Sequence, residues 1–321
     1  MPDWFDRNGA GLLLAFTVDA LVGEPPEALH PVSWMGKVIG LADQAVPGRR
    51  RGPVAERVSG SVVAIALPAG TFWAVRKLLQ AVPDRIRPAT EVILLSLAFA
   101  GRSLFQAAKD VQRDLASGID EGRAAVARMV GRDTAELDGA GVTRAAIESV
   151  AENANDGVIA PVFYGLIGGA PLAMTYKMIN TLDSMIGYRD RDYQDFGWAA
   201  ARLDDVAGFI PARLTGLAAA LAGPAVGGSP GAALATWRRD SRRHRSPNAG
   251  VCESAFAGAL GVCLGGAGSY KGKMVEGPLI GEGKRHPDSD DIGRAANLMY
   301  YSAGVMLVAG IFMRRFWRKG F

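Results

Sequence analysis

Cysteine is scarce in this 321-residue sequence, which contains only Cys252 and Cys263. The two do not form a CxxC pair, and no histidine lies near them in the sequence. Zinc-binding and redox-active cysteines usually occur in such pairs or beside histidine. Because both residues fall in apolar segments with helical character, we expect two buried thiols with a structural role.

A strong net charge is also missing, since the formal charge is only +4. This small surplus gives no reason to expect nucleic acid as a partner. Basic residues gather at 49–51, 237–245 and 314–319, beside apolar segments, where such clusters usually mark the cytoplasmic side of a membrane. We therefore expect a cytoplasmic C-terminus. Residues 9–18 are apolar, but no small-residue cleavage site follows them, so we expect no cleaved signal peptide.

A phosphate-binding loop of the GxxxxGK[ST] type is absent as well. The segments ending in Gly272-Lys273 and Gly283-Lys284 come nearest to the pattern. Ala267 and Pro278 stand where the first glycine is required, and neither lysine precedes serine or threonine. A Walker-type nucleotide site is therefore excluded.

The sequence does contain long segments without any charged residue. Each is about as long as the 17 to 25 residues that a membrane span needs, and the five segments are 58–75, 157–176, 214–237, 254–270 and 295–313. The segment 254–270 is very rich in glycine and alanine, and the segment 214–237 is interrupted by glycine and proline. A soluble helical core would also fit these two segments. We predict an all-α, polytopic integral membrane helical protein forming one domain over 1–321, with a water-exposed helical region at about 102–156.

The stretch from Thr143 to Gly216 alternates acid and amide clusters with uncharged sequence. Its first part predicts a helix with Thr143 as N-cap and Asn155 to Gly157 as its end. Glu148, Glu152 and Asn155 then share one face. From spacing alone, a solvated acidic face and a binding site fit this pattern equally well.

The uncharged part that follows contains Pro161, Pro171 and Gly168-Gly169, which predict a kink or break. Beyond it the polar residues return at helical spacing and continue into a charged run, namely Lys177, Asn180, Asp183, Arg189, Asp195, Arg202, Asp204, Asp205 and Arg213. An apolar span bracketed by carboxylates indicates a polar site at a membrane surface.

Two further segments carry polar residues beside turns. Asp19, Glu24 and His30 fall in or near a proline-containing stretch, 23–36, that we predict to be a structured loop. The arginine run within 238–245, followed by His244, Ser246 and Asn248, would attract an anion. A positively charged cytoplasmic loop is the plainer interpretation of the same run.

These segments closely resemble a known family. ESVAENANDGVIAPVFY (148–164), INTLDSMIGYR (179–189), ARLDDVAGFIPARLTG (201–216) and SPNAG with Glu253 resemble the signature segments of adenosylcobinamide-phosphate synthases, the CobD/CbiB family of cobalamin biosynthesis. Asp19, Glu24 and His30 match the family's N-terminal pattern, and residues 270–272 and 278–281 match its Tyr-x-Gly and Pro-x-Ile-Gly turns.

The resemblance implies a multi-pass protein of the inner membrane that uses ATP and Mg²⁺ to join a propionate carboxylate of adenosylcobyric acid, a corrinoid, to (R)-1-aminopropan-2-ol phosphate. Residue chemistry then suggests catalytic roles for Glu148, Glu152 and Asp156. Substrate or phosphate binding is expected of Asn153, Asn155, Lys177, Asn180, Arg189, Arg213, His244, Ser246 and Asn248. Metal binding is expected of Asp183, Asp204 and Asp205.

The expected partners are these two substrates, the lipid bilayer, and either further copies of the chain or other membrane enzymes of cobalamin assembly. Two other classes of protein share some of these features. A transporter would place ionisable residues inside its spans, whereas here they lie mostly at the ends of the apolar segments. A non-catalytic regulator, sensor or corrinoid carrier of the same fold should lack the acid and amide clusters. Ethanolamine phosphate or free aminopropanol would suit the same residue types as the amine.

Overall fold

The computed structural model describes residues 3–46, 51–188 and 192–319. These residues form thirteen α-helices and four short strands, so the prediction of an all-α fold is confirmed. The helices are α1 Asp3–Val22, α2 Pro31–Ala45, α3 Pro53–Ala81, α4 Arg87–Ser96, α5 Gly101–Ser117, α6 Ile119–Val126, α7 Gly139–Ala154, α8 Ala160–Ile186, α9 Trp198–Ala207, α10 Phe209–Ala222, α11 Pro230–Asp240, α12 Ala249–Leu260 and α13 Ser289–Lys319. The strands are β1 Leu264–Gly265, β2 Gly268–Tyr270, β3 Lys273–Val275 and β4 Leu279–Ile280.

Five helical segments of the described chain are long and apolar enough to cross a membrane. They are Pro53–Ala81, Arg87–Ser117, Gly139–Ile186, Phe209–Val226 and Ser289–Met313. Three of them contain the apolar segments at 58–75, 157–176 and 295–313, which confirms those predictions. Arg87–Ser117 was not among the predicted spans, because charged residues interrupt its second half.

Two predicted apolar windows are wrong in their extent. The window 254–270 is not one helix, because α12 ends at Leu260, where Gly261 takes a left-handed conformation with φ +74°, and strands follow. The window 214–237 is divided between α10 and α11 by a 3₁₀ turn, Gly223–Val226, and by Gly227 at φ +76°. Glycine adopts such positive φ values without the steric cost that other residues meet.

The predicted start of the first polar helix is wrong, and its predicted end is confirmed. Helix α7 begins at Gly139, not Thr143, because the Asp138 carboxylate accepts the Gly141 N–H at 2.7 Å and caps the helix. The helix ends at Ala154, with Asn155 as its C-cap. The chain then widens into a π-helical turn, Asn155–Ile159, and continues into α8.

The 23–36 stretch is only partly the predicted loop, because α2 begins at Pro31. Proline suits the first position of a helix, where its missing N–H would have no intrahelical partner. His30 caps this helix: its Nδ1 accepts the Val32 N–H at 3.2 Å.

The helices form two compact units. The first contains α1 to α4, α8 and α9, and α8 packs against each of the other five. Non-helical φ and ψ angles at Gly168 and Gly169 kink α8, as the sequence predicts. Gly60 of α3 lies against the connection before α9 so closely that a Cβ would stand 1.9 Å from the Phe196 carbonyl oxygen.

The second unit contains α5 to α7, the π turn, α10 to α13 and the strands. Helix α7 lies in its interior, and nearly every side chain from Gly141 to Ala151 is buried against α5, α6, α12 and α13. The prediction of one domain over 1–321, with 102–156 exposed to water, stays a prediction.

The strands of this second unit form a nested hairpin, residues 264–280, in which β1 pairs with β4 around an inner β2–β3 pair. Gly272 turns the inner pair with φ +75°, and Gly281 follows the outer pair with φ +77°. Both belong to the segments that the sequence marks as turns. The Asp133 carboxylate holds the inner turn, accepting the Gly272 N–H at 2.8 Å and the Lys271 N–H at 3.2 Å.

Candidate active site

Helix α7 carries the first predicted catalytic carboxylate, Glu148, into the interior of the second unit. The residue is buried, with 4% of its surface exposed. One carboxylate oxygen accepts a short hydrogen bond from the Arg132 guanidinium, and the other accepts the Gly265 N–H at 2.6 Å. Glu148 therefore ties the loop before α7 and the nested hairpin to the helix.

The Arg132 guanidinium is itself largely buried. Burial opposes its charge, but the adjoining Glu148 carboxylate outweighs that effect and raises the pKa of Arg132. The Arg132 guanidinium therefore keeps its charge in the folded protein. Arg132 was not predicted as a site residue, because its partner lies 16 positions away, beyond the reach of a helical repeat.

One turn further along α7, Glu152 is exposed and Asn153 is half-buried. The Asn153 amide donates to the Ser149 carbonyl at 2.9 Å. At the π turn, the buried Asn155 accepts from the Thr215 hydroxyl at 3.1 Å and donates to the Asp156 carboxylate at 2.7 Å. π turns inside α-helices are often found at functional sites, and this one aligns an amide with a carboxylate.

Helix α10 brings Arg213 to the start of α12. The guanidinium donates to the Asn248 side-chain oxygen at 2.9 Å and to the Phe209 carbonyl at 3.0 Å, and it lies 3.6 Å from the centre of the Phe209 ring. Arg213 and Asn248, both predicted to bind substrate, are therefore direct neighbours. Their contact fixes the guanidinium at the N-terminal end of α12.

His244 and Ser246 lie in the connection that precedes α12. The Ser246 hydroxyl accepts the Asn248 and Ala249 N–H groups at 3.3 and 3.2 Å, which satisfies two backbone donors at the start of this helix. The His244 Nδ1 accepts the Ser246 N–H at 3.0 Å. His244 is largely buried, and burial lowers the pKa of its imidazole.

The next residue of interest on α12 is Glu253, with 6% of its surface exposed. Its Oε1 lies 3.7 Å from the His244 Nε2. Burial, together with the nearby carboxylates of Glu148 and Glu152, raises the pKa of Glu253 well above its ordinary value. In the sequence, Glu253 is one of the positions that match the family, but it was not among the predicted site residues.

The neighbouring Cys252 is fully buried. Burial raises the pKa of its thiol well above the ordinary value, and the carboxylates of Asp156 and Glu152 add to the effect. A thiol kept in its protonated form is a poor nucleophile and a poor metal ligand. Cys252 and Cys263 are both free and buried, which confirms the prediction of two buried thiols.

These residues gather around the first half of α12. We call them the α12 polar cluster, which consists of Arg132, Glu148, Glu152, Asp156, Arg213, His244, Asn248, Cys252 and Glu253. The cluster combines carboxylates, a histidine and two guanidinium groups drawn from four separated segments of the sequence. Such a set can bind an anion, bind an ammonium group and move a proton.

The arginines within 238–245 fall into two groups with different surroundings. Asp240, whose side chain is fully buried, accepts two hydrogen bonds of 2.8 Å from Arg239 and one of 2.8 Å from the Gly281 N–H, while Arg243 lies 3.6 Å away. These arginines therefore help to hold the nested hairpin. The other three of the run are exposed and form no ion pair within the described residues, namely Arg238, Arg242 and Arg245.

The remaining predicted site residues belong to the first unit. Lys177, Asn180 and Asp183 follow one another along α8, each half-buried, and Lys177 acts electrostatically on the buried His30. Asp204 and Asp205 lie on α9, where Asp205 stands 3.5 Å from the Arg202 guanidinium. Arg189 lies outside the described residues.

The expected nucleotide and Mg²⁺ can be tested against these donor sets. The exposed arginines suit phosphate oxygens, because each guanidinium offers several donors and a permanent charge. Mg²⁺ commonly binds through one or two carboxylates together with substrate phosphates and water. No group of three or more histidine, cysteine or acidic residues arranged to hold a metal occurs among the residues described. Asp183, Asp204 and Asp205 therefore stay predictions as metal ligands.

The fold and the α12 polar cluster fit a multi-pass helical membrane protein with ionisable side chains buried in one unit. The family model described as CobD/Cbib protein matches residues 12–299. The chain belongs to this family.

Curated relatives of the family cover nearly the whole chain. Cobalamin biosynthesis protein CobD of Klebsiella pneumoniae subsp. pneumoniae is 42% identical over 311 residues, which are 96% of this chain and 97% of the relative. Cobalamin biosynthesis protein CbiB of Salmonella choleraesuis is 40% identical over 306 residues, 94% of this chain and 96% of the relative. CobD of Citrobacter koseri is also 40% identical over 306 residues, with the same coverage. No solved structure matches the chain.

Proposed function

We propose that this protein acts in cobalamin biosynthesis as an ATP-dependent amide ligase. It joins a propionate carboxylate of adenosylcobyric acid to the amine of (R)-1-aminopropan-2-ol phosphate and so forms adenosylcobinamide phosphate. Family membership, through relatives named for cobalamin biosynthesis, supports the pathway. The single observation that carries the ligase assignment is the α12 polar cluster, in which proton acceptors and guanidinium groups lie together.

A carboxylate is a poor acyl donor and must be activated before an amine can attack it. ATP would transfer its terminal phosphoryl group to the carboxylate, with ADP as the leaving group, and a bound Mg²⁺ would neutralise charge on the nucleotide phosphates. Arg213 and the exposed arginines 238, 242 and 245 provide donors for phosphate oxygens. Glu152 and Asp156, on the α7 side of the cluster, provide negative charge for an ammonium group. Asp183, Asp204 and Asp205 are the proposed Mg²⁺ ligands.

We place the protein in the inner membrane with its C-terminus in the cytoplasm. The basic residues that follow the span Ser289–Met313 support this orientation, since cytoplasmic flanks are enriched in lysine and arginine. Substrates and ATP would then meet the enzyme from the cytoplasm. Labelling of a cysteine introduced after residue 313, in sealed vesicles of known orientation, tests the placement.

The ligation is tested with detergent-purified protein incubated with adenosylcobyric acid, aminopropanol phosphate, ATP and Mg²⁺. A corrinoid with the mass of the amide, formed only when ATP is present, is the expected result. Ethanolamine phosphate and free aminopropanol, supplied in parallel, identify the amine. Folded protein that binds the corrinoid but forms no product with any of these amines would instead indicate a regulator or carrier.

The variants Asp156→Ala and Asp205→Ala test one predicted residue in each unit. Both should abolish ligation while the helical circular dichroism and the elution volume stay as in the wild type. Retained turnover in either variant removes that residue from the site.

A further inference from the structure

The two oxygens of Glu148 are already engaged, which limits its use as a base. Arg132 donates to one and the Gly265 backbone donates to the other. Removing a proton from an ammonium group would require Glu148 to give up an ion pair that is itself buried. A carboxylate of the same cluster without such partners is better suited to the task.

Glu253 meets this requirement. Its side chain is 8% exposed, and no hydrogen bond to its carboxylate occurs within the described part of the chain. Its nearest polar partner is the His244 Nε2 at 3.7 Å, which is longer than a hydrogen bond. Buried carboxylates are usually hydrogen-bonded, so a nearly buried one without a donor indicates a function beyond stabilising the fold.

The His244 Nδ1 lies 3.0 Å from the Ser246 N–H and 3.2 Å from the Ser246 carbonyl oxygen, so its role as acceptor or donor depends on the tautomer. In the neutral tautomer that accepts the Ser246 N–H, the proton lies on Nε2, the atom that faces Glu253. A small approach of the two side chains would let His244 donate to Glu253 and orient its carboxylate.

The charged groups around Glu253 favour proton uptake. Glu148 and Glu152 face it from α7, Arg132 faces it from the loop before α7, and His244 faces it from the loop before α12. Burial and the two carboxylates raise the pKa of Glu253, whereas Arg132 lowers it less. On the other helices that pack against α12, Arg213 pairs with Asn248, Asp240 with Arg239 and Asp291 with Arg285, while Arg238 of α11 is exposed.

We propose that Glu253 is the catalytic base that takes the proton from the ammonium group of the aminoalcohol phosphate, with His244 as the residue that positions it. This inference rests on the proposed ligase function and assigns a residue to its second step. The chemistry sets one requirement: an ammonium group has no lone pair and cannot attack until it has lost a proton.

One proton passes from the ammonium nitrogen to the Glu253 carboxylate. The freed nitrogen lone pair attacks the carbonyl carbon of the acyl phosphate. A C–N bond forms, the C–O bond to phosphate breaks, and phosphate leaves with the electron pair. The second proton of the nitrogen is lost to solvent as the amide forms.

The test compares the natural amine with hydroxylamine, which is unprotonated at neutral pH and attacks acyl phosphates without a base. Wild-type protein and Glu253→Gln, which keeps the size of the side chain without its basicity, are given adenosylcobyric acid, ATP and Mg²⁺ with either nucleophile. We expect Glu253→Gln to form the amide about 10²- to 10⁴-fold more slowly. It should form the hydroxamate at the wild-type rate. Glu276→Gln, an exposed substitution on the hairpin, is the matched control.

The pH profile adds a second readout. Wild-type kcat/KM for the aminoalcohol phosphate should fall as the pH falls through the pKa of Glu253, because the base becomes protonated. Glu253→Asp should keep this acid limb at reduced rate, and His244→Gln should shift it. If Glu253→Gln does not fold, these two variants decide the assignment. An undiminished rate in Glu253→Asp, together with an unshifted acid limb in His244→Gln, overturns it.

The outcomes distinguish a failure of the proposed ligase function from a failure of the Glu253 assignment alone. Wild-type protein that forms neither amide nor hydroxamate overturns the ligase function, and the base assignment with it. Wild-type activity with both nucleophiles, combined with full amide formation by Glu253→Gln, overturns the base assignment alone. Loss of both products in folded Glu253→Gln also overturns it, because the residue would then act before the amine does.

Discussion

The Arg132–Glu148 pair offers a sharp test of how the second unit is stabilised. In Glu148→Gln, the side-chain oxygen can still accept the Gly265 N–H, but the Arg132 guanidinium loses its counter-charge. The two side chains are 19% and 6% exposed, so the remaining charge would be stranded in a largely buried position. Removing one partner of a buried pair costs about 3–5 kcal/mol.

Because Arg132 keeps some contact with solvent, we expect the lower end of this range, about 3 kcal/mol. Roughly 2–4 °C of melting temperature is lost per kcal/mol in domains of 150 to 250 residues. The variant should therefore melt about 6–12 °C below the wild type. Circular dichroism of the detergent-solubilised protein measures this shift.

The double variant Arg132→Met/Glu148→Gln separates the charge from the packing. It removes the stranded guanidinium and keeps the acceptor for Gly265, so it should be more stable than Glu148→Gln alone. A double-mutant cycle should give a coupling free energy of about 2–3 kcal/mol, at the upper end of what contacting residues show. Coupling below about 0.5 kcal/mol would refute the view that this ion pair stabilises the fold.

Three further predictions concern the nested hairpin. Asp240→Asn should lower the free energy of unfolding by about 1–2 kcal/mol in denaturant titrations, because an amide cannot accept all the hydrogen bonds that the carboxylate accepts. As a control, the exposed substitution Glu282→Gln should change the free energy of unfolding by less than about 0.5 kcal/mol. Gly265→Ala should reduce the melting temperature more than Gly272→Ala. Both glycines have positive φ, a conformation that costs alanine about 1–2 kcal/mol. Only at Gly265 would the new Cβ also meet a backbone oxygen, at 2.1 Å. The pKa of Asp133 is lowered by hydrogen bonds from the Ser269 hydroxyl and from backbone N–H groups, so its folded pKa lies below its unfolded one. The contribution of Asp133 to stability is therefore present above its unfolded pKa and is lost as the pH falls through its folded pKa. Amide-exchange protection of the hairpin should accordingly decrease in acid for the wild type but not for Asp133→Asn.

The arginine run shows that the charge pattern of a sequence does not by itself assign a role to each arginine. The sequence presents five arginines in eight residues as one anion-attracting group. In the fold, Arg239 and Arg243 are turned toward Asp240, which also holds the Gly281 backbone. Only tertiary contact separates the arginines that stabilise the hairpin from those exposed to a ligand.

The sequence by itself determined the features that depend on local order. The uncharged segments predict helices able to cross a membrane, because helix length and side-chain hydropathy are read directly from consecutive residues. Gly168-Gly169 predicts the kink in α8, and Gly272 and Gly281 fall in predicted turns, because glycine tolerates conformations that other residues avoid. The motif resemblance likewise identified the family.

The tertiary structure decided which polar groups are available for chemistry. Glu148 and Glu253 are both acidic residues on apolar helices. Nothing in their local sequence distinguishes a carboxylate held in an ion pair from one that can accept a proton. The distinction comes from partners distant in the chain: Gly265 lies 117 residues from Glu148, and Arg132 precedes it by 16. Burial and electrostatic environment depend on such long-range contacts, so only the fold shows that Glu148 holds the unit together while Glu253 remains free to accept a proton.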